Sequence, residues 1–166
     1  MNGQNATLNR APLKQTTLCL LLRDGQVLLG LKKRGFGSGK WNGFGGKAKD
    51  GEDVMTAAIR ELQEEISVMV RPEHLLKAAV FKFYYPSQPE SNQKVTVFLA
   101  RQWQGEPAES EEMRPAWFAF AAIPYPQMWP DDKHWLPQVL AGKKLTGEFY
   151  FNNNASELAK FRLAEI

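Results

Sequence analysis

The chain has 166 residues, 43% of them hydrophobic and 11% aromatic, which is enough for the core of one domain and makes a second domain unexpected. Its formal net charge of +3 suits a small polyanionic ligand but is modest for a protein that binds a nucleic-acid polymer. The single cysteine excludes an intrachain disulfide, and no apolar run approaches the length of a membrane-spanning helix.

The first residues form a polar segment that we expect to be a flexible extension. Residues 1–14 contain no acidic residue and only Arg10 and Lys14 as basic ones, which does not fit a secretory signal peptide and fits a mitochondrial transit peptide poorly. We therefore expect residues 15–166 to form one domain in the cytoplasm, with a mitochondrial or nuclear location also open. We expect a monomer that binds no membrane and no nucleic-acid polymer.

Two apolar runs joined by a short turn predict a β-hairpin. The runs cover Thr17 to Arg23 and Gln26 to Lys33, and Asp24-Gly25 between them is a strong signal for a two-residue turn. Cys19 lies in the apolar sequence LCLLL of the first run. It is therefore expected to be a packing residue in a reducing compartment rather than a catalytic thiol.

A glycine-rich segment after the hairpin predicts a ligand-binding loop. The sequence RGFGSGKWNGFGGK, from Arg34 to Lys47, holds six glycines among bulky aromatic residues. Glycine lets the backbone turn tightly, while the aromatic side chains present flat surfaces. Basic residues in and beside this loop suit phosphate groups, namely Lys32, Lys33, Arg34, Lys40 and Lys47. A packed loop without a ligand is the alternative interpretation.

Three glutamates on one face of a predicted helix indicate a metal site. At about 100° per residue, Glu61, Glu64 and Glu65 fall within an arc of about 100°. The neighbouring face is apolar and is expected to contact the core through Met55, Ile59, Leu62 and Ile66. Clustered carboxylates repel one another unless a cation lies among them, and oxygen ligands suit a hard ion such as Mg²⁺. A solvated acidic face is the alternative.

The stretch from Gly46 to Val68 resembles the Nudix hydrolases. Their box reads Gly, five residues, Glu, seven residues, Arg-Glu-aliphatic, any residue, Glu-Glu, any residue, Gly-aliphatic. The matching positions here are Gly46, Glu52, Arg60, Glu61, Leu62, Glu64, Glu65 and Val68. The departure is Ser67, which stands where the family has glycine, at a helix end where a left-handed backbone is easiest for glycine.

The resemblance implies a divalent-metal-dependent hydrolase. Mg²⁺ is the expected cofactor, and Mn²⁺ is expected to substitute for it. The expected metal ligands are the Gly45 carbonyl, Glu61, Glu64, Glu65 and Glu112. Either Glu61 or Glu65 is expected to be the catalytic group that takes a proton from water, and the spacing does not separate them. Glu52 and Arg60 are expected to form a structural ion pair.

Further strands are predicted downstream of the acidic helix. They cover Ala78 to Tyr85 and Lys94 to Gln102, separated by a turn-rich segment. An acidic loop from Gly105 to Glu112 precedes an aromatic strand around Trp117 to Phe120. These segments are expected to extend the sheet that begins with the hairpin.

The last part of the chain predicts a second helix and a final hairpin. Three prolines interrupt IPYPQMWPDDKHWL, after which Asp131 or Asp132 is expected to cap a helix that runs to about Ala141. The hairpin is expected from Gly147 to Phe151 and from Glu157 to Leu163. Mixed strands with two helices predict an α/β fold, the α/β/α sandwich with a central mixed sheet flanked by helices.

Three segments outside the box resemble the Nudix hydrolases that act on oxidised purine nucleoside triphosphates: LLGLKKRGFGSGKWNGFGGK, SEEMRPAWF and MWPDDKHW. This resemblance implies hydrolysis of a modified purine nucleoside triphosphate, such as 8-oxo-dGTP, 2-hydroxy-dATP or O6-methyl-dGTP, to the monophosphate and pyrophosphate. The damaged nucleotide is thereby removed before a polymerase can use it. The implied substrate-binding residues are Thr17, Lys32, Phe36, Asn42, Phe44, Gly45, Gly46, Lys47, Phe81, Met113, Trp129, Pro130, Asp131 and Asp132.

The side chains of the implied base pocket have suitable chemistry. The Asn42 amide offers donors and an acceptor to a purine edge, and Trp129 offers a stacking surface. Two carboxyls as close as Asp131 and Asp132 repel each other, so that one is expected to be protonated and to act as a donor. Met113 is flexible enough to pack against more than one purine.

Two other functions remain open at this point. One is a Nudix hydrolase of another nucleoside diphosphate derivative, such as ADP-ribose or a capped RNA end. The other is a nucleotide-binding module on the same fold without catalysis, against which the complete set of Glu61, Glu64 and Glu65 argues.

Overall fold

The structure is a computed structural model and describes residues 13–166. Residues 1–12 of the expected extension lie outside the described part, and Lys14 begins the first strand. The strands are β1 (Lys14–Arg23), β2 (Gln26–Lys32), β3 (Trp41–Asn42), β4 (Leu76–Tyr84), β5 (Gln93–Ala100), β6 (Met113–Ala119), β7 (Leu145–Phe151) and β8 (Leu158–Glu165). The two α-helices are α1 (Val54–Ile66) and α2 (Asp132–Leu140).

All eight strands belong to one mixed sheet. Its order is β3-β2-β1-β5-β4-β7-β8, and β6 also pairs with β2. β1 runs parallel to β5 and β4 runs parallel to β7, whereas the other pairs are antiparallel. The predicted first hairpin is confirmed: Asp24 and Gly25 have φ of 50° and 73°, the positive values that a tight two-residue turn requires.

The apolar run in β1 is continuous because the strand is covered on both faces. Cys19 packs in a cluster with Leu62 of α1, whereas its neighbour Leu20 packs in a separate cluster with Trp135 of α2. Successive side chains of a strand point to opposite faces, so the two helices lie on opposite sides of the sheet. The predicted α/β fold with helices flanking a mixed sheet is confirmed, and Cys19 is fully buried as expected.

Local signals define both ends of α1. Asp53 precedes the helix in an extended conformation, and its Oδ1 accepts a hydrogen bond of 2.8 Å from the Thr56 N–H. At the other end Ser67 adopts φ 60° and ψ 31°, and its N–H donates to the Gln63 carbonyl at 3.1 Å. The Val68 N–H then donates to the Leu62 carbonyl at 3.4 Å, which completes a left-handed helix end.

Ser67→Gly should stabilise the protein. A side chain strains a left-handed backbone and glycine does not, so we expect a gain of about 1 kcal/mol and a rise of the unfolding midpoint by about 2–4 °C. Thermal unfolding checks it, with Ser91→Gly as the matched control, because Ser91 has no positive φ and should gain nothing. A lower midpoint for Ser67→Gly would contradict this description of the helix end.

Two expectations for the second half of the chain need correction. Asp131 stands at the N-cap position of α2, but it has helical φ and ψ of −78° and −29°, and its side chain makes no capping hydrogen bond. Its carboxylate instead accepts a hydrogen bond from the Trp135 indole. The aromatic strand begins at Met113, earlier than the range around Trp117, because it pairs along the whole of β2. The final hairpin is confirmed as β7 and β8.

Candidate active site

A cavity of about 390 Å³ lies between the sheet, the glycine-rich loop and the start of α2. The loop is attached to β1 through its backbone: the Thr17 N–H donates to the Gly46 carbonyl at 3.0 Å, and the Phe44 N–H donates to the Cys19 carbonyl at 2.9 Å. A side chain at Gly45 would collide with the Thr17 carbonyl oxygen, so glycine allows this close approach.

Most of the implied substrate-binding residues line this one cavity, although they come from distant parts of the chain. They are Thr17, Lys32, Phe36, Asn42, Gly45, Gly46, Lys47, Phe81, Met113, Trp129, Asp131 and Asp132. Two do not reach it. Phe44 is fully buried in the core on the α1 side, and Pro130 lies between Trp129 and Asp131 without lining the cavity.

Aromatic rings form much of the wall. The Phe36 and Trp129 rings lie 5.1 Å apart and inclined at 38°, and the Lys40 ammonium lies 5.5 Å from the centre of the Trp129 ring. Asn42 is held on the short strand β3, where its Oδ1 accepts a hydrogen bond of 2.8 Å from the Gly43 N–H. The cavity therefore combines flat apolar surfaces with one oriented amide, which suits a heteroaromatic ring.

A buried pair of carboxyl groups lies in the wall of the cavity. Asp131 and Asp132 are each 3% exposed. Asp131 Oδ2 accepts a hydrogen bond of 2.8 Å from the Trp135 indole N–H. Asp132 Oδ2 is buried and has no hydrogen-bond partner within the protein. Buried polar atoms are rarely left without a partner, so this oxygen is an unsatisfied polar atom beside the cavity.

The two carboxyls differ in their affinity for a proton. Burial raises the pKa of Asp131 to about 6, although the indole of Trp135 partly opposes this. Burial raises the pKa of Asp132 well above its ordinary value, and the negative charge of Asp131 raises it further. Both shifts favour the protonated form of the pair, and the charge of Asp131 makes the effect stronger at Asp132.

The glutamates of α1 line a second cavity, of about 410 Å³, that adjoins the first. Its lining consists of Arg34, Glu61, Glu64, Glu65, Ser110, Glu111 and Glu112. Glu65 borders both cavities. Gly46 lies directly against the Glu61 carboxylate, since a Cβ at Gly46 would stand 2.5 Å from Glu61 Oε1. The acidic residues of the helix and of the distant loop thus meet beside the glycine-rich loop.

Glu65 is the most deeply buried of these glutamates. It is 7% exposed, and its Oε2 is buried without a hydrogen-bond partner in the protein. Burial and then the negative charge of Glu61 raise the pKa of Glu65 to about 8, while the positive charge of Lys32 opposes the shift. A cation between Glu65 and Glu61 would remove the repulsion and satisfy the free oxygen, so the site has the chemistry of a metal site.

Arg60 links the acidic helix to the glycine-rich loop. Its guanidinium donates to both Glu52 oxygens at 2.9 Å, to Glu61 Oε1 at 3.0 Å and to Glu64 Oε2 at 3.2 Å. It also donates to the Lys47 carbonyl at 3.3 Å. Hydrogen bonding to Arg60 is the main reason that the pKa of Glu52 falls to about 2. This geometry matches the expected structural ion pair of Glu52 and Arg60.

The carboxylates of the acidic cavity do not converge on one point. Among residues 13–166, no three acidic, histidine or cysteine side chains lie in the arrangement of a formed metal site. The Arg60 guanidinium engages one oxygen of Glu61 and one of Glu64, whereas Glu65 Oε2 is free of partners. Glu61, Glu64, Glu65 and Glu112 nevertheless line one cavity.

Several lining residues were absent from the candidates that the sequence suggested, including Leu18, Tyr85 and Gln93. The period of two along β4 gave a signal for Tyr85, since Phe81, Phe83 and Tyr85 alternate onto one face. Gln93 gave no signal, because its position depends on the pairing of β5 with β4.

In the described part of the chain, no helix is both long and apolar enough to span a membrane.

Comparison with known proteins identifies the family. A family model described as the NUDIX domain matches residues 12–139. An oxidized purine nucleoside triphosphate hydrolase of Danio rerio is 48% identical over 153 residues, which cover 92% of this chain and 96% of the relative. The protein of the same description from Mus musculus is 45% identical over 150 residues, which cover 90% of this chain and 94% of the relative.

Solved structures agree in fold. The crystal structure of a MutT protein from Bacillus halodurans matches with a TM-score of 0.78 at 27% identity, covering 91% of this chain and 97% of that one. The family match includes the glycine-rich loop, the acidic helix and most of α2, which all contribute lining residues to the two cavities. The chain therefore belongs to the NUDIX family of hydrolases.

Proposed function

We propose that the protein hydrolyses oxidised purine nucleoside triphosphates to the monophosphate and pyrophosphate, and so removes damaged nucleotides from the precursor pool. The observation that carries the proposal is the position of Glu65, which borders both the aromatic cavity and the acidic cavity. A nucleotide with its base in the first would have its phosphates beside the second. Both curated relatives described above carry this activity in their descriptions.

The aromatic cavity is proposed as the base site. Trp129 and Phe36 supply stacking surfaces, and stacking of a base on an aromatic ring contributes about 1–3 kcal/mol in nucleic-acid complexes. Asn42 and the pair Asp131 and Asp132 supply hydrogen-bonding groups along the edge of a base. A carboxyl pair that holds one proton offers a donor next to an acceptor, and such a pair can match a purine edge that has a donor next to an acceptor.

The acidic cavity is proposed as the site of the divalent ion. Nudix hydrolases use divalent metal ions, and we propose Mg²⁺, with Mn²⁺ able to replace it. The proposed ligands are the Gly45 carbonyl, Glu61, Glu64, Glu65 and Glu112. A bound divalent ion neutralises phosphate charge and favours attack by water on a phosphorus atom. Lys32 and Lys47, which line the adjoining cavity, add positive charge for the triphosphate.

Glu65 is proposed as the catalytic base rather than Glu61. The base must lie within hydrogen-bond reach of the attacking water, with an oxygen that is not already engaged. Glu65 lines both cavities and its Oε2 has no partner in the protein, whereas Glu61 lines only the acidic cavity and is held by Arg60 through Oε1. Residues 15–166 are proposed to act as one domain, since the cavities draw their walls from strands of one sheet.

A substrate panel tests the proposal. Rates of pyrophosphate release are compared for 8-oxo-dGTP, 2-hydroxy-dATP, dGTP and dATP, with ADP-ribose hydrolysis measured in parallel. We expect kcat/KM to be highest for a modified purine triphosphate. A preference for ADP-ribose would mean a different Nudix activity, and tight binding of the triphosphates without turnover would mean a nucleotide-binding module.

A further inference from the structure

A row of polar side chains crosses the aromatic cavity. The Thr16 hydroxyl donates to Gln93 Oε1 at 2.9 Å, and Gln93 Nε2 donates to the Tyr85 hydroxyl at 3.4 Å. Thr16 belongs to β1, Gln93 begins β5, and Tyr85 follows the last residue of β4. These strands are neighbours in the sheet, and all three side chains line the cavity. The row ends on the phenol oxygen, whose own proton is available to an acceptor.

The Tyr85 ring is firmly held. It lies parallel to the Phe151 ring at 4.8 Å, with an angle of 2° between the planes. The centres of two further rings, Phe36 and Trp129, lie 5.5 and 6.1 Å from the centre of the Tyr85 ring, with angles of 84° and 70° between the planes. The Tyr85 N–H also donates to Asn92 Oδ1 at 2.7 Å, which fixes the backbone. A ring packed on several sides keeps its hydroxyl at one place, so this group cannot turn away from a ligand that does not suit it.

The Tyr85 hydroxyl belongs to the same region of the cavity as the buried acid pair. Burial is the main cause of a raised pKa for Tyr85, and the negative charges of Asp131 and Asp132 add to it. Tyr85, Asp131 and Asp132 line the same cavity, and the centre of the Tyr85 ring lies 6.1 Å from that of Trp129, two residues before Asp131. The neighbouring walls are apolar, formed by Leu18, Phe81, Phe83 and Val95. The part of a base that faces the acid pair therefore also faces a hydroxyl in apolar surroundings.

We propose that Tyr85 is a specificity-determining residue for the base substituent that faces its hydroxyl. It favours purines in which this substituent is polar, such as an oxo, hydroxyl or amino group, over purines in which it ends in an alkyl group. Gln93 is the positioning residue that holds the Tyr85 hydroxyl. The inference rests on the proposed function, because it assumes that this cavity receives the base of a nucleoside triphosphate.

The physical reason is the cost of a buried polar group that loses its partner. An oxo, hydroxyl or amino group can hydrogen-bond to the hydroxyl in place of water. A methyl group displaces that water and has no hydrogen-bond donor or acceptor for the hydroxyl. A site built to hydrogen-bond a substrate discriminates strongly against an analogue that cannot do so, whereas an apolar site discriminates weakly between similar shapes. Removing the hydroxyl should therefore remove the discrimination.

The test compares Tyr85→Phe with the wild-type protein on 8-oxo-dGTP and O6-methyl-dGTP. Phenylalanine keeps the ring and its stacking and removes only the hydroxyl. We expect the ratio of kcat/KM for the oxo substrate to that for the methylated substrate to fall by about 10-fold. Gln93→Met should move the ratio in the same direction by a smaller factor, because it releases the hydroxyl without removing it.

Tyr84→Phe is the matched control. Tyr84 precedes Tyr85, stacks on Tyr150 at 4.7 Å and does not line the cavity, so the same chemical change there should leave the ratio unaltered. An unchanged ratio in both Tyr85→Phe and Gln93→Met, or equal losses on both substrates, would overturn the inference. Failure of the wild-type protein to hydrolyse either substrate would instead contradict the proposed function, so the two failures are distinguishable.

Discussion

Glu65→Gln is expected to lower the turnover of a modified purine triphosphate by at least ~10²-fold at saturating Mg²⁺, with a smaller effect on KM. Glutamine has nearly the same shape but cannot accept a proton from water and is a poor ligand for a hard cation. The loss should therefore appear in the chemical step. Glu65 is the residue that borders both cavities, so no neighbouring carboxylate lies in an equivalent place.

Steady-state rates at several Mg²⁺ concentrations provide the measurement. Glu73→Gln is the matched control, since Glu73 is an exposed glutamate that pairs with Arg71 at 4.0 Å and lines neither cavity. Turnover of Glu65→Gln close to that of the wild-type protein at saturating Mg²⁺ would remove Glu65 from the catalytic site.

The same substitution is expected to affect stability in the opposite direction. The pKa of Glu65 is about 8 in the folded protein, against an ordinary value of 4.5. Between these two pH values the folded state binds the proton more tightly than the unfolded state, so the metal-free protein loses stability as the pH rises through this range. Glutamine does not ionise. Glu65→Gln should therefore flatten the pH profile of the unfolding midpoint and raise the midpoint at pH ~8 in the presence of a chelator.

This stability measurement separates loss of function from loss of fold. An inactive variant with an equal or higher unfolding midpoint at pH ~8 has lost catalytic activity but has kept its folded structure. A midpoint below that of the wild-type protein under the same conditions would mean that the Glu65 carboxylate stabilises the folded state, contrary to its burial beside Glu61 without a partner for Oε2.

Asn substitutions in the acid pair are expected to change which damaged purine is preferred. Burial raises the pKa of both Asp131 and Asp132, and a proton held by the pair can lie on either carboxyl, so that the pair can present a donor or an acceptor at a given position. Asparagine does not ionise, so it fixes the pattern of hydrogen-bond donors and acceptors at the substituted position. Because an unpaired buried group costs about 1–3 kcal/mol, Asp131→Asn or Asp132→Asn should change the ratio of kcat/KM between 8-oxo-dGTP and 2-hydroxy-dATP by about 5- to 150-fold.

The dependence on Mg²⁺ should remain normal in these variants, because the main charges that act on Glu65 are those of Glu61, Lys32 and Glu112. Asp50→Asn, at an exposed turn before α1, is the matched control and should leave the ratio unchanged. Equal losses on both substrates would assign base recognition to Asn42 and the aromatic loop instead.

The features that short-range chemistry determines were predictable from sequence. The Asp24-Gly25 turn needs two positive φ angles, and the glutamate spacing on α1 follows from the helical period, so both were visible as patterns. The left-handed conformation of Ser67 was predictable as a conflict between the box position and the residue present, but the structure was needed to establish its φ of 60°.

The features that depend on tertiary packing were not predictable. Asp131 has the sequence signature of a helix cap. Its carboxylate instead accepts a hydrogen bond, inside the core, from the indole of Trp135, one turn later in the helix. Burial of both aspartates depends on β4 and on the glycine-rich loop, which lie far away in the sequence. Gln93 and Thr16 meet because β5 and β1 are parallel neighbours, and parallel pairing leaves no local signal in either strand.

Product analysis of 8-oxo-dGTP hydrolysis tests the central claim most directly. The reaction mixture is separated after incubation with Mg²⁺, and again after incubation with a chelator in place of the metal. The account predicts 8-oxo-dGMP and pyrophosphate in equal amounts with Mg²⁺ and no products with the chelator. Release of orthophosphate and a diphosphate, or the same rate in the presence of the chelator, would contradict it.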